Sequence, residues 1–304
     1  MRLSNRGGKG KKLTMGHVAK RARRLYYLAK AFTEGYGIRA KIRLIPNTAY
    51  QVFHYIAGSV IAGTTAHVAE RVSCGLTMKF APEVILKNRN GMFKCRKGSG
   101  DIGIVGEACE IDLTNYFTKV RSGVFVDVGA HIGRYTIKMA RQIGDKGKVI
   151  AIEADPENYK ALVDNIKLNR VDNVYAFNVA CCDKEEDVKL FIQPLKHSVF
   201  SSIKLDVLGK SDRTIMVNGN TLDNILNGLG IDKINVVKID VEGAEKEVLL
   251  GMKEAISRNN DIEILFEAWN SSYLGECRKV LQDYGLVVED KEIDSTVYRA
   301  RKVV

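Results

Sequence analysis

The sequence predicts an α/β fold in which helices flank a mostly parallel sheet. Three observations support this class. From residue 124 onwards, short apolar runs alternate with longer amphipathic stretches, and strands that alternate with helices form parallel sheets. A turn that contains Gly129 and Gly133 follows the first apolar run. Two further apolar runs end the chain, and they flank Asp294 and Ser295 as the arms of a hairpin would.

Seven apolar runs supply the expected strands. They cover residues 124–128, 149–152, 174–179, 234–239, 262–266, 286–293 and 296–303. Helices are expected over 135–143, 156–168, 244–256 and 272–284, and one more begins at Thr221. The alternating units imply a parallel sheet, to which the closing hairpin adds one antiparallel strand. Residues 184–217 have only a weak pattern, and no element is assigned to them.

A hairpin and a short helix are expected ahead of this sheet. Asn90 and Gly91 lie between two apolar runs, 83–87 and 92–96, and Asn-Gly in that position is a strong hairpin signal. A helix near 107–117 would then lead into the first strand of the sheet. These elements therefore belong to the same domain as the sheet.

The positive charge of the chain lies near its N-terminus. The 304 residues have a net charge of +11, and residues 1–45 hold 13 Lys and Arg against the single acid Glu34. The other 259 residues, with 34 basic and 35 acidic side chains, have a net charge of −1. A basic amphipathic helix is expected over 14–32. It fits an anionic membrane surface or RNA phosphates, and an alternative of equal weight is that its apolar face packs on the folded domain.

Other features of the sequence predict a cytoplasmic protein. No apolar leader follows the first charges, and the most apolar early run, 55–66, is too short for a bilayer of ~30 Å. The six cysteines form no CxxC pair, so reduced thiols are expected. Peripheral attachment to a membrane is left open. We divide the chain into a basic helical extension, 1–80, with a second expected helix at 49–72, and a main domain, 81–304.

The turn after the first strand of the sheet is the centre of the expected ligand site. Asp127 ends the strand, and Gly129 and Gly133 allow a tight turn onto a helix N-terminus, where a carboxylate or phosphate binds well. The dinucleotide fingerprint has Gly where His131 stands, so a pyrophosphate fits poorly. S-adenosylmethionine, whose amino-acid end offers a carboxylate, fits better. Glu153 lies at the spacing of a ribose-binding acid, which supports that ligand.

Acidic residues follow most of the expected strands. In open parallel sheets, ligands bind outside the carboxyl ends of the strands. Those ends hold residues 127–133, 153–155, 180–183, 240–245 and 267–270. Carboxylates accept hydrogen bonds from hydroxyl and amine donors, and they attract a sulfonium cation. These segments are therefore the candidates for the ligand site.

Three motifs resemble those of the FkbM family of S-adenosylmethionine-dependent methyltransferases. They are Phe125 to Gly133, Thr221 to Asp223 and, most specifically, Lys238 to Glu245 with the residues that follow to Gly251. The resemblance covers about residues 84–267 and leaves the first 80 residues unexplained. It implies a Rossmann-like class I methyltransferase fold with S-adenosylmethionine as cofactor. The family more often has Asn where His131 stands, which leaves the role of this histidine open.

The resemblance implies a place for each candidate residue around the cofactor. Asp127, Gly129 and Gly133 would shape the pocket for the methionine end, with His131 among them. Glu153 would hold the ribose, and Asp183 or its neighbours would approach the adenine. Asp240 and Glu242 would lie beside the transferable methyl group.

Methyl transfer to a hydroxyl requires a base only for the hydroxyl proton, because the methyl carbon is already activated. We predict Asp240 or Glu242 as this base, Glu267 as a contact to the acceptor, and His131 as the next candidate for the base. Metal ligation by Asp240, Glu242 and Glu267 is a weaker alternative. Glu245 is assigned either to the site or to the first turn of a helix, where an acid is favourable.

Three functions compete. The first is O-methylation of a hydroxyl on a sugar, glycan, glycolipid or secondary metabolite, with a small molecule or glycan as acceptor. The second is RNA methylation, with residues 1–45 on the phosphates; Asn165 to Asn169 resemble a motif of tRNA guanine methyltransferases. The residues from Asp240 to Gly243 differ, however, from the Asn-Pro-Pro-aromatic turn common in methylation of base amino groups. The third is a non-catalytic binding module. No protein partner is predicted.

Overall fold

The computed structural model describes a main body with a few residues of the N-terminal extension. The described residues are 34, 35, 37, 39–42, 44, 81–106, 109–192, 201–204, 211, 213–290, 293 and 296–302. The helices expected at 14–32 and 49–72 and the basic arm as a whole lie outside these residues, apart from the few positions between 34 and 44. Within the described residues, no helix is long and apolar enough to cross a membrane.

Strands and helices alternate through the main body. The strands are β1 (Val84–Asn88), β2 (Gly91–Cys95), β3 (Gly123–Val128), β4 (Gly147–Ile152), β5 (Val174–Phe177), β6 (Ala180–Cys181), β7 (Asp187–Ile192), β8 (Ser201–Ser202), β9 (Arg213–Asn220), β10 (Val236–Ile239), β11 (Glu263–Glu267), β12 (Leu286–Val288) and β13 (Val297–Lys302). The helices are α1 (Asp101–Val105), α2 (Ile111–Tyr116), α3 (Arg134–Ile143), α4 (Pro156–Asn169), α5 (Leu222–Gly228), α6 (Glu245–Leu250), α7 (Lys253–Arg258) and α8 (Ser271–Asp283). Short 3₁₀ turns cover Phe117–Lys119 and Gly144–Lys146.

A seven-stranded sheet forms the centre of the molecule, as predicted. Its strand order is β12-β13-β11-β10-β3-β4-β5. Strands β5, β4, β3, β10 and β11 are parallel neighbours, and β13 is antiparallel to both β11 and β12. All four residues of β10 are buried, because helices cover both faces of a parallel sheet. The α/β class and the antiparallel closing hairpin are thus confirmed.

A smaller four-stranded sheet occupies the region that had only a weak pattern. Its strand order is β6-β9-β7-β8, and β7 pairs with β9 in antiparallel register from Asp187 to Ile192. In β7 only Leu190 is buried, and β9 buries only Val217 and Gly219. Because so few side chains are buried, the period-2 signal of a strand is faint in the sequence. It was therefore wrong to assign no strand to residues 184–217.

Several element boundaries differ from those expected. The helix expected over 244–256 is broken into α6 and α7 at Gly251, where a Cβ atom would lie 2.0 Å from the Cys182 carbonyl oxygen. The helix expected near 107–117 is described only from Ile111, and α1 was not anticipated. The first arm of the closing hairpin, β12, ends at Val288, and the expected turn at 294–295 lies outside the described residues.

The leading hairpin of β1 and β2 is attached to α4 by two asparagine side chains. The Asn165 amide accepts a hydrogen bond from the Lys94 backbone N–H at 2.8 Å and donates one to the Ile132 carbonyl at 2.9 Å. Asn169 accepts one from the Met92 N–H at 2.8 Å and donates one back to the Met92 carbonyl at 2.6 Å. Their resemblance to a motif of tRNA guanine methyltransferases favoured the alternative of RNA methylation, and in the structure both side chains join a hairpin edge to a helix.

Part of the N-terminal extension packs on the same hairpin. Ala40 and Leu44 are buried in a cluster with Leu86 and Phe93, and the Asn88 amide donates a hydrogen bond to the Glu34 carboxylate at 3.1 Å. These contacts attach the end of the basic segment to the main body. The domain boundary at residue 80 stays a prediction.

The asparagine attachment can be tested by unfolding. Asn165→Ala should lower the free energy of unfolding by about 1–3 kcal/mol, because the Ile132 carbonyl and the Lys94 N–H lose their partner. Urea denaturation followed by circular dichroism measures this loss. Asn227→Ala on α5, whose side chain is exposed, is the control and should change little. Equal effects of the two substitutions would contradict a specific role for Asn165.

Candidate functional site

A cavity of about 640 Å³ lies at the carboxyl ends of β3, β4, β10 and β11. Five acids and two basic side chains line it: Glu110, Glu153, Asp240, Glu242 and Glu267, with Arg134 and Lys238. The rest of the polar and aromatic lining includes His131, Tyr135, Asn158, Trp269 and the backbone of Gly129, and residues of the smaller sheet close one side. The cavity therefore lies where a parallel sheet of this topology binds its ligand.

The turn after β3 has the tight geometry that its glycines allow. Gly129 has a φ angle of +77°, and a Cβ atom there would lie 1.8 Å from the Asp240 carbonyl oxygen. Gly133 has a φ angle of +93°, and a Cβ atom there would lie 2.7 Å from the Leu162 side chain. Gly129 thus lets the loops after β3 and β10 meet, and Gly133 lets α3 approach α4. Gly133 does not line the cavity itself.

A buried lysine holds the two central strands together at the cavity floor. Lys238 on β10 lies beside Asp127 in the register of β3. Its ammonium nitrogen is 3.1 Å from Asp240 Oδ2 and 3.7 Å from Asp127 Oδ1. Asp127 also accepts a hydrogen bond of 2.6 Å from the Thr136 hydroxyl. Asp127 is thus part of the support beneath the cavity and does not line it.

The pKa values of this pair show how burial and neighbouring charges compete. Burial opposes the charged form of Lys238, yet Asp240, Asp127 and Glu110 outweigh it and raise the pKa of the ammonium group. Burial also raises the pKa of Asp127, although Lys238 and Thr136 act in the opposite direction. The ammonium group therefore stays charged and needs both carboxylates around it.

Glu153 directly follows β4, and its carboxylate is bound by two backbone N–H groups. Its carboxylate accepts hydrogen bonds from the His131 N–H at 2.7 Å and the Asp155 N–H at 2.9 Å. Asp155 in turn caps the N-terminus of α4. Burial raises the pKa of Glu153 to about 7, and the two N–H groups only partly compensate. This acid therefore changes its protonation state close to neutral pH.

His131 is the most unusual residue of the turn. Its φ angle is +51°, which a residue other than glycine seldom adopts. Both imidazole nitrogens are buried, and neither has a hydrogen-bond partner in the described part of the chain. Burial lowers the pKa of His131 to about 4. The imidazole is therefore neutral, and its donor and acceptor nitrogens are buried within the protein at the edge of the cavity.

The turn after β10 is held in place by Glu245. The Glu245 carboxylate accepts hydrogen bonds from the N–H groups of Val241 at 3.0 Å and Gly243 at 3.1 Å, and from the Tyr273 hydroxyl at 2.8 Å. This buried residue is in the first turn of α6 but does not line the cavity. Glu245 therefore organises the loop from 240 to 243 and presents Glu242 to the cavity.

Glu242 and Glu267 are two acids at the cavity entrance, and the charge of Glu267 acts on Glu242. Glu242 has a φ angle of +55°, and its carboxyl group has no hydrogen-bond or ion-pair partner in the described residues. Burial, Asp240, Glu267 and Glu245 all raise its pKa well above the ordinary value. Burial and Asp240 also raise the pKa of Glu267, which accepts a hydrogen bond of 2.6 Å from the Thr296 hydroxyl. Both acids therefore hold protons more tightly than exposed glutamates.

The structure brings most, but not all, of the predicted site residues together. Gly129, His131, Glu153, Asp240, Glu242 and Glu267 line the cavity. Asp183 is exposed and does not line it, whereas its neighbours Ala180 and Cys181 do. The contact of Asp183 or its neighbours with adenine stays a prediction, and of these residues Ala180 and Cys181 are the ones that line the cavity. Within the described residues, no group of three or more His, Cys, Asp or Glu is arranged to hold a metal ion.

Three ionic residues of the cavity, Glu110, Arg134 and Lys238, were not among the predicted site residues. Arg134 donates hydrogen bonds to Glu110 at 3.2 Å, to Thr114 and to the carbonyls of Ile104 and Cys109. Glu110 also accepts a hydrogen bond of 2.8 Å from the Tyr135 hydroxyl. Glu110 lies where no motif is visible, and only the three-dimensional approach of α2 to the turn reveals it. Arg134 directly follows Gly133 of the turn, and Lys238 begins the motif from Lys238 to Glu245.

The fold is that of a Rossmann-like class I methyltransferase. Three features define it: the strand order, the glycine turn after β3, and the acids at the ends of β4 and β10. Residues 127–288 match the model described as the methyltransferase FkbM domain. Because this match covers more than half of the chain, the chain belongs to the FkbM methyltransferase family. The predicted family is confirmed, and with it S-adenosylmethionine as the cofactor.

Individual relatives are more distant. The protein Methyltransferase 1 of Beauveria bassiana (strain ARSEF 2860) is 25% identical over 147 residues, which are 42% of this chain and 58% of that protein. The chain thus spans less than two thirds of the length of this relative. Methyltransferase FkbM from Methylobacillus flagellatus KT is 15% identical with a TM-score of 0.41, over 78% of this chain and 60% of the other. TYW2 of M. jannaschii in complex with AdoMet is 18% identical with a TM-score of 0.40, over 72% and 84%.

The cavity suits S-adenosylmethionine in its charge and in its unused polar atoms. Five acids face two basic side chains, which favours a ligand with sulfonium and ammonium cations. The Glu242 carboxyl group, which has no hydrogen-bond partner in the described residues, offers further hydrogen bonds. Glu153 would hold the ribose hydroxyls, and the turn from Gly129 to His131 would face the methionine end. When bound, the cofactor supplies a methyl group already activated by a positively charged sulfur.

Loss of the buried ammonium group should destabilise the fold. Lys238→Met should lower the free energy of unfolding by about 3–5 kcal/mol, because Asp127 is left buried without its cation. The loss should shrink at low pH, where protonation removes that uncompensated charge. Urea denaturation at several pH values measures it. The double substitution Asp127→Asn with Lys238→Met should recover part of the stability, and no recovery would argue against the pairing. Lys246→Met, on a half-exposed pair with Glu276, is the control.

Cofactor affinity should depend on the ionisation of Glu153. The carboxylate that accepts ribose hydroxyls forms as the pH rises through about 7. Affinity for S-adenosylhomocysteine should therefore rise about tenfold between about pH 6 and about pH 8. Glu153→Gln should bind more weakly and lose this dependence, as measured by calorimetry. Glu157→Gln, an exposed acid on α4, should behave as the wild type. A dependence that survives in Glu153→Gln would assign it to another group.

Proposed function

We propose that the protein transfers a methyl group from S-adenosylmethionine to a hydroxyl on a sugar, glycan, glycolipid or secondary metabolite. The observation that carries this proposal is the Glu242 carboxyl group, which lies in the cavity without a partner among the described residues. A hydroxyl nucleophile must lose a proton during transfer, and a carboxyl with a raised pKa is a better proton acceptor than an ordinary one. Glu242 is therefore the base of the proposal.

The other candidates for the base are less suitable. Asp240 is bound to the Lys238 ammonium group at 3.1 Å, so its carboxylate is already engaged in the support of the cavity floor. Burial lowers the pKa of His131 to about 4, so its imidazole binds a proton weakly. Glu267 is engaged by Thr296 and is better placed to position the acceptor. The roles of these residues follow from their partners.

The residues in and beneath the cavity have separate roles in the proposed reaction. Glu267 orients the acceptor by accepting a hydrogen bond from one of its hydroxyls. The reacting hydroxyl donates its hydrogen bond to Glu242, and its proton passes to that carboxylate as the oxygen becomes an ether. Glu245 keeps the loop in place, and Lys238 fixes Asp240 at the floor. The sulfonium charge of the cofactor lowers the pKa of Glu242 toward neutrality, because an opposite charge favours the ionised form.

Methylation of RNA has less support. The resemblance of Asn165 to Asn169 to an RNA methyltransferase motif is accounted for by their attachment of the leading hairpin. The cavity holds five acids against two basic side chains, and such a surface repels phosphates. A role for residues 1–45 on RNA or on an anionic membrane stays a prediction, since the arm lies largely outside the described residues.

The proposed function can be tested with labelled cofactor. Transfer of the labelled methyl group into a fractionated cell extract should place the label in the glycan, lipid or small-molecule fraction, as an ether. Glu242→Gln should lower kcat by about 10²- to 10⁴-fold and keep its affinity for S-adenosylhomocysteine. In the wild type, kcat/KM should rise with pH as Glu242 ionises, and the substitution should remove that rise.

The control for this experiment is Glu276→Gln, since Glu276 is an exposed acid on α8. Its rate and pH profile should match those of the wild type. Label in the RNA fraction, or on nitrogen instead of oxygen, would overturn the proposal. An unchanged pH profile in Glu242→Gln would leave O-methylation standing but exclude Glu242 as the base.

A further inference from the structure

Trp269 is an exposed aromatic residue at the entrance of the cavity. It follows β11 by two residues and is 42% exposed. Six large hydrophobic side chains are exposed in the described part of the chain, and Trp269 is the one among them that lines the cavity. It is also the single Trp of the 304 residues. An exposed indole at a cavity entrance offers a large, rigid and flat apolar surface to a ligand.

The neighbours of Trp269 are hydrogen-bond acceptors. Its side chain lowers the pKa of Glu267, so the indole lies near that carboxyl group. Glu267 itself accepts a hydrogen bond from the Thr296 hydroxyl, which holds the carboxyl group in place beside the indole. Glu242 lies in the same cavity with its carboxyl free of partners among the described residues. One flat apolar face and two acidic acceptors are thus presented to the same space.

This combination selects a particular kind of acceptor. The indole face is electron-rich and attracts the weakly positive C–H groups on one face of a saturated ring. The carboxyl groups accept hydrogen bonds from hydroxyls, and the excess of acids over bases in the cavity disfavours a phosphorylated ligand. A neutral ring that has both an apolar C–H face and several hydroxyls meets all three conditions. A pyranose is such a ring.

We propose that Trp269 is the stacking surface for a sugar ring whose hydroxyls bind Glu242 and Glu267, so that the methyl acceptor is a saccharide. This inference rests on the proposed O-methyltransferase function and narrows its acceptor class. Trp269 determines specificity through its contact with the ring and takes no part in the proton transfer. Free sugars and glycolipids share the ring and differ only in an attached lipid.

The single Trp makes binding directly observable. Full-length protein with S-adenosylhomocysteine should be titrated with methyl glycosides of common hexoses and deoxyhexoses, and with the corresponding octyl glycosides. At least one glycoside should change the tryptophan fluorescence in a saturable way, and a sugar phosphate should change it far less. Tighter binding of the octyl form would identify a glycolipid as the source. No saturable change with any glycoside would overturn the inference.

Substitutions separate this inference from the proposed function. Trp269→Ala should raise KM for the saccharide acceptor by about tenfold, while Trp269→Phe should recover most of the affinity. Both should bind S-adenosylhomocysteine as the wild type does. Tyr175→Ala, an exposed aromatic on β5 outside the cavity, is the matched control and should leave KM unchanged.

The two possible failures give different results. Methyl transfer to a hydroxyl with the same KM in wild type and Trp269→Ala would overturn the stacking role and leave the proposed function intact. If the wild type methylates no hydroxyl in any fraction, the proposed function fails. In that case the fluorescence titration still decides whether Trp269 binds a sugar ring, because it requires no turnover.

Discussion

The site depends on one buried cation. Lys238 brings a positive charge into the middle of the central sheet, and Asp127 and Asp240 lie on either side of it. Asp127 lies near the end of β3, and Asp240 begins the loop that presents Glu242. The ammonium group therefore joins the strand that carries the glycine turn to the strand that carries the acids. Its desolvation is costly unless both carboxylates remain in place, which fixes the spacing of the two loops over the cavity.

Around this centre, the loops are made rigid by hydrogen bonds to backbone groups. Glu245 accepts bonds from the loop after β10, and Glu153 accepts them from the turn after β3 and the start of α4. In both cases a buried carboxylate satisfies backbone N–H groups that a tight turn leaves without partners. The acids that face the ligand thus stand on loops whose shape is set before any ligand binds. Such preorganisation is what a positioning mechanism requires.

The sequence predicted the central sheet well because its strands are fully buried and its helices amphipathic. The smaller sheet was missed, since few of its residues, such as Leu190 and Val217, are buried and the alternation along β7 and β9 covers only short segments. Most site residues could be predicted, because parallel strands bring their carboxyl ends together. Lys238 had a readable signal, a charged residue within an apolar strand that must be buried. Arg134 directly follows Gly133 of the turn, whereas Glu110 had no signal, since only the packing of α2 brings it to the cavity.

The backbone conformation of Glu242 lowers the stability of the fold at a residue that the proposed function needs. Its φ angle of +55° is one that glycine adopts without strain, whereas other residues lose about 1–3 kcal/mol in such conformations. A glycine there would also remove a carboxyl group that repels Asp240 and Glu267. Selection for heat resistance would accordingly favour Gly at this position and yield a sturdier protein with an impaired site. A glutamate with this φ angle therefore lowers the stability of the fold and places an acid in the cavity at that point.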